Sequence, residues 1–295
     1  MNSSLLGEQL LSQLQQCSDL PTPPTVATKI IELSGIKTAD LDTLANIVSM
    51  DPALSAKILG IANSSIYMRR IEADSIERAV DMFGWNGTLN IALGFAVVGS
   101  IRWALTSGMD YNYFWLRSLA AATSARALGQ MTKCKDVESL FLPGLLQDIG
   151  MLALDKADKD FYANIGDSQQ DHNHIMGIER QRVNVDHALV GEWLLSNWGI
   201  PEDVTDLVGL SHCDSYVHDN ECLLEKQRCI FLSVYMADCL LMNAQTRMLE
   251  ATGRLMESML NICESNFFAL MGHVASQFQE MAQIFELEVQ NTKQL

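Results

Sequence analysis

The chain has 295 residues, 48% of them hydrophobic and 19% charged, which is long enough to bury a sizeable core and excludes a disordered or fibrous polymer. Twenty Lys and Arg against 36 Asp and Glu leave a net charge of -16, a field that repels nucleic-acid backbones and anionic membranes at long range. Seven cysteines with no C-x-x-C spacing, behind a start ("MNSSLLGEQL") without a basic region and apolar core, point to reduced thiols, no secretion and a cytoplasmic protein.

Helical periodicity runs through almost every segment, and no alternating strand pattern competes with it. Leu6, Leu10 and Leu14 predict an N-terminal helix over residues 1–20, and "PTPP" at 21–24 separates it from the next, because proline lacks the amide donor and restricts the residue before it. Val26, Ile30 and Leu33 mark a second helix, and Leu41, Leu44, Ala45 and Val48 a third. Asp51 before Pro52 predicts a capped helix start, and Ser75 caps "IERAVDMF", which Gly84 ends. The helix pair 41–48 and 52–62 has the outline of a helix-turn-helix, but its second helix offers only Lys57 as a base; core packing is the expectation. The uncharged window 84–101 nearly reaches membrane-spanning length, yet Asn86, Thr88, Asn90 and Ser100 interrupt it, and it reads as a buried helix.

The alanine-rich "NYFWLRSLAAATSARALGQM" predicts a core helix with a small-residue face, followed by "FLPGLLQDIGML" (141–152), an apolar run broken by Gln147 and Asp148 and stopped at Gly150. The polar segment 155–186 predicts an exposed junction. In it "DHNH" leaves His172 and His174 solvated and unliganded, since a spacing of two cannot serve a metal from one helix face. "DHALVGEWLLSNWGIPEDV" gives a helix ended by Gly199 and another begun at Pro201. Two long helices are expected beyond, over 222–248 and 265–289. Asp148, His187, His212 and Asp238 each lie in or beside apolar helical segments, where a desolvated polar group needs a partner.

These motifs, in order, resemble the HDOD domain, a branch of the HD-domain phosphohydrolase superfamily of bacterial signalling. They are "LPTPPTVATKIIEL", "LANIVSMDPALSAKILGIANSSIY", "SIERAVDMFGW", "FWLRSLAAA", "FLPGLLQDIGMLAL", "DHALVGEWLLSNWGIP" and "VYMADCL". The resemblance implies an all-α, HD-domain-like helical bundle in two lobes. The first ends near Gly108, and the two join through the apolar helix at 89–101. It divides the chain into an N-terminal helix (1–20), an HDOD domain (21–215) and a C-terminal helical extension completing the bundle (216–295). In catalytic HD domains, histidines and aspartates hold divalent metals that activate a water against a phosphoester. Here the His-Asp pair reads Gln147-Asp148, and Arg117 stands where an upstream ligand histidine is expected; His187 and Asp238 match the pattern, and His212 follows Ser211 where a histidine pair is often seen. A protonated guanidinium has no lone pair and an amide oxygen is a weak ligand, so no metal or other cofactor is expected. Arg117 should turn inward to neutralise Asp148 or Asp238.

The resemblance therefore implies a non-catalytic signal-transduction module acting on a protein partner, with a homodimer one arrangement it allows and no nucleic acid or membrane as partner. Two alternatives remain open at this point: a phosphohydrolase with a divalent metal in a reduced site of Asp148, His187, His212 and Asp238, and a nucleotide or phosphate sensor in which Arg117 grips the anion.

Overall fold

Helices account for the regular structure of the computed structural model, and no strand occurs among the described residues. Those residues are 14, 22–23, 25–36, 40–67, 72–101, 109–158, 161–162, 172–212, 225–242 and 246–289. The expected helix over 1–20 lies outside them except for Leu14, which is helical and buried.

The first lobe holds α1 (Thr25–Ser34), α2 (Leu41–Ser49), α3 (Pro52–Ala62) and α4 (Ile76–Ile101). Its starts follow the expected local chemistry. The Asp51 carboxylate accepts from the amides of Ala53 and Leu54 with Pro52 in the first turn, and Ser75 Oγ accepts from Arg78 N. At Gly84 the backbone swings to φ 70°, so α4 is two helical halves joined at a break that only glycine makes cheaply. Leu44, Val48, Leu54, Ile58 and Ile61 point inward, so the helix pair packs into the core, and Lys57 lies 3.8 Å from Glu286.

The second lobe is built around α5 (Tyr111–Thr132), buried continuously from Phe114 to Gly129. A 3-10 turn (Val137–Leu140), α6 (Phe141–Leu146) and α7 (Ile149–Ala157) follow, then α8 (His172–Val183), α9 (His187–Asn197), α10 (Glu202–Gly209), α11 (Glu225–Leu241), α12 (Thr246–Leu260) and α13 (Glu264–Ile284). Small residues let α5 and α6 meet closely: a Cβ on Gly144 would sit 2.8 Å from the Cα of Ala122. The stretch Val137–Ala157 is long and apolar enough to cross a membrane by length and composition, but 89% of its most apolar window is buried inside the fold.

The lobes join through α4, as expected, with Gly94 against Leu145 and Phe141. They also join through α13, which the sequence does not announce in that role. Phe285, just past its end, stacks on Phe95 at a centroid distance of 4.1 Å, and Glu280 accepts from the Ser65 amide at 3.0 Å.

Three local expectations are corrected. Gly150 does not stop a helix; it lies inside α7, where a Cβ would meet the His187 carbonyl oxygen at 2.0 Å, so its smallness serves the crossing of α7 and α9. The helix expected over 222–248 ends at Leu241, and a separate α12 covers Thr246–Leu260. Asn261 closes α12 in the left-handed region at φ 55°, with the Ile262 amide reaching back to Met256 O, a glycine-like ending at a residue that tolerates it. The third concerns the segment holding His172, which is helical from that residue on.

Candidate functional site

Six elements deliver polar side chains to one buried locus. Arg117 comes from the middle of α5, Asp148 from the junction of α6 and α7, and His172 and His187 from the first positions of α8 and α9. His212 follows α10, and Asp238 lies near the end of α11. All six are at most 5% exposed. Asp148 is the centre. Its Oδ2 receives Arg117 Nε at 3.3 Å, while its Oδ1 lies 3.3 Å from His187 Nε2 and 3.4 Å from His212 Nε2. His172 Nε2 is 3.1 Å from both carboxylate oxygens.

His172 overturns the expectation of an exposed, solvated ring: it is 2% exposed and wedged between the two aspartates, with Nδ1 2.9 Å from Asp238 Oδ1. The apolar content of the segment misleads because this ring is buried by polar partners. The available signal is the stripe His172, Ile175, Met176, Glu179, which are all buried and spaced as one helix face. Glu179, also missed, accepts from His187 Nδ1 at 2.7 Å, from the His187 amide at 2.9 Å and from Tyr162 OH at 2.6 Å. His174, by contrast, is exposed, as expected.

The electrostatics follow from this packing. Burial alone would raise the Asp148 carboxyl, but His172 and Arg117 beside it hold it well below the usual carboxylate range. Burial works against a charged His187, yet Glu179 and Asp148 lift its pKa to about 10. His212 goes the other way: burial and the neighbouring His187 and His172 outweigh its bond to Asp148, and its pKa falls to about 3. Burial and Arg117 disfavour protonated His172, but Asp148 and Asp238 prevail and raise it. Asp238 is lowered although burial opposes it, chiefly by His172.

The metal centre of a catalytic HD domain does not fit these residues. Gln147 occupies the histidine position with its amide wholly buried, and neither its oxygen nor its nitrogen has a hydrogen-bond partner among the described residues. Arg117, at the other lost position, brings a permanent positive charge against Asp148, the aspartate of the degenerate pair.

Beside the locus a cavity of about 150 Å³ reaches His172, Ser211, His212 and Asp238. Its remaining walls are mainly apolar, from Phe231, Val234, Met248 and Leu255 among others, and Arg117 and Gln147 do not line it.

A model of the HDOD domain family matches residues 20–213. The chain belongs to the HDOD family. Its fold is shared with the HDOD domain protein of unknown function from Geobacter sulfurreducens, at 20% identity and TM-score 0.68 over 97% of this chain and 98% of that one. A "Putative metal-dependent phosphohydrolase" from Shewanella amazonensis SB2B aligns at 20% identity and TM-score 0.66, covering 96% and 99%. A "Putative signal transduction protein" from Marinobacter aquaeolei VT8 aligns at 20% identity and TM-score 0.64, covering 97% of this chain and 66% of that one. In sequence, an uncharacterized protein of Treponema pallidum (strain Nichols) is 22% identical over 211 residues, which is 70% of this chain but 40% of that longer protein.

Proposed function

We propose that this HDOD protein is a non-catalytic signalling module, a pseudoenzyme of the HD superfamily that works by binding another protein. The observation that carries this is the buried pair of Arg117 Nε and Asp148 Oδ2 at 3.3 Å beside an unpartnered Gln147. Together they replace, with a fixed charge and an inert amide, the two donors that would place a catalytic metal over a phosphoester. The signalling setting draws on the description of the Marinobacter structure and on the character of the family.

The sensor reading is weaker on a specific observation: Arg117 is committed to Asp148 and absent from the walls of the cavity, so an anion entering there does not meet its guanidinium. The hydrolase reading would need water activation at a carboxylate already held by a guanidinium and three imidazoles.

The test is reconstitution of a complex. The tagged chain is isolated from the bacterium that encodes it, co-purifying proteins are identified by mass spectrometry, and each is titrated calorimetrically with the purified components. A saturable complex whose affinity is the same for the Asp148→Asn variant is the expected result, provided that variant is folded by circular dichroism. If no co-purifying protein binds in the purified system, the interaction reading fails.

A further inference from the structure

Protein interiors leave few voids larger than a water molecule, yet the cavity bounded by α8, α11 and α12 holds about 150 Å³. Phe231 and Val234 wall it from α11 and are at most 3% exposed, while Met248 and Leu255 close it from α12. Two exposed lining residues, Asn173 and Ala251, place its opening between α8 and α12. A mainly apolar space of this size is large enough for a single benzene-sized ring. It is too small for a nucleotide.

The polar end of the cavity selects what such a ring must carry. Hydrogen atoms there are already spent. The Ser211 hydroxyl donates to the Val208 carbonyl at 2.6 Å and therefore accepts from His212 Nδ1–H at 2.6 Å, and the His172 Nδ1–H donates to Asp238 Oδ1 at 2.9 Å. Lone pairs are not spent. Asp238 receives one bond on each oxygen, the second from the His172 amide at 3.3 Å, and a carboxylate can accept about four. An anion entering here meets acceptors, because the Arg117 guanidinium does not line the space. Asp238 already bonds the His172 imidazole and lies in the field of Arg117, so an uncharged donor suits it better than an ammonium group.

We propose that this cavity is a binding site for an uncharged single-ring molecule bearing one hydroxyl. Its apolar body packs on Phe231, Val234, Met248 and Leu255, and its O–H donates to Asp238. The buried hydrogen bond to a carboxylate supplies selectivity, and the apolar walls supply most of the contact area. Such a ligand has no phosphoester to hydrolyse, and its binding stands or falls independently of the protein partner.

The test titrates the full chain calorimetrically with p-cresol, toluene, benzylamine and phenyl phosphate. Saturable binding of one p-cresol is expected, at least about tenfold tighter than toluene, because only p-cresol donates to the carboxylate. Val234→Phe, which fills the cavity from α11, should abolish binding while circular dichroism shows the helical fold intact. Leu255→Phe, which fills it from the half-buried α12 side, is the second filler should the first fail to fold. No saturable p-cresol binding, or equal affinity for toluene, would overturn the proposal. Tighter binding of benzylamine or phenyl phosphate would overturn it in favour of a charged ligand, and p-cresol binding that survives in a folded filler variant would place the ligand elsewhere and overturn the site.

Discussion

A guanidinium keeps its proton throughout the pH range in which proteins fold, so Arg117, with its side chain 5% exposed, stays charged beside Asp148. Its value to the fold lies in that pairing, since breaking a buried ion pair from one side strands the other charge. Arg117→Ala is expected to destabilise the protein by about 3–5 kcal/mol in urea denaturation; a loss below about 1 kcal/mol would show that the imidazoles compensate Asp148 unaided. The thiols offer a separate residue-level check. Burial pushes Cys229 up to about 12 and Cys239 up to about 11, whereas bonds from Ser265 and the Asn266 backbone lower exposed Cys263. Because the thiolate is the nucleophile, alkylation near neutral pH should label Cys263 well before Cys229 and Cys239, as read by peptide mapping; labelling of the buried pair at the same rate would contradict the packing around α11. At this scale the sequence was legible where a residue matched a motif, as at Asp148, and misleading at His172 and Glu179, where only their helical spacing with Ile175 and Met176 hinted at burial. Those two are buried by polar partners from distant segments, and no local hydropathy records such partners.

Among the elements, the crossing of α7 and α9 governs the site, because it sets His187 against Asp148. Gly150 makes the crossing possible, with the His187 carbonyl oxygen 2.0 Å and the Gly191 nitrogen 2.5 Å from where a Cβ would stand. Both obstacles are backbone, so Gly150→Ala must part the helices. A loss of about 1–3 kcal/mol or more is expected in chemical denaturation; a neutral alanine would mean that α7 and α9 do not cross this closely. A milder element-level effect is expected at α3, where Asp51→Ala removes two cap bonds and should cost about 0.5–2 kcal/mol in the same assay. Helix starts such as Asp51-Pro52 and Ser75 were readable because capping is chemistry between near neighbours in the chain. The α11–α12 division was not, since the apolar period carries on past Leu241, and neither was the end of α12, where a left-handed asparagine, Asn261, stands in place of a glycine.

The whole molecule depends on two lobes closing on each other through α4 and α13. Phe285 is 2% exposed and stacks on Phe95 of the other lobe, so Phe285→Ala should cost about 3–5 kcal/mol and speed amide exchange in both α4 and α13. Faster exchange confined to α13 would mean the lobes are stabilised independently. The all-helical class and the two-lobe plan were legible because the helical period persists through segment after segment, whereas the seal by α13 depends on contacts some 190 residues apart in the chain. The central proposal is that this assembled pocket has exchanged phosphoester chemistry for a fixed, internally paired core. Steady-state hydrolysis is its most direct test: the protein loaded with Zn²⁺ or Mn²⁺ is offered phosphomonoesters, nucleotides and cyclic dinucleotides, and product is counted per enzyme. No turnover above the rate of the Asp148→Ala variant is predicted. Multiple turnovers by the unaltered chain that Asp148→Ala abolishes would contradict the account.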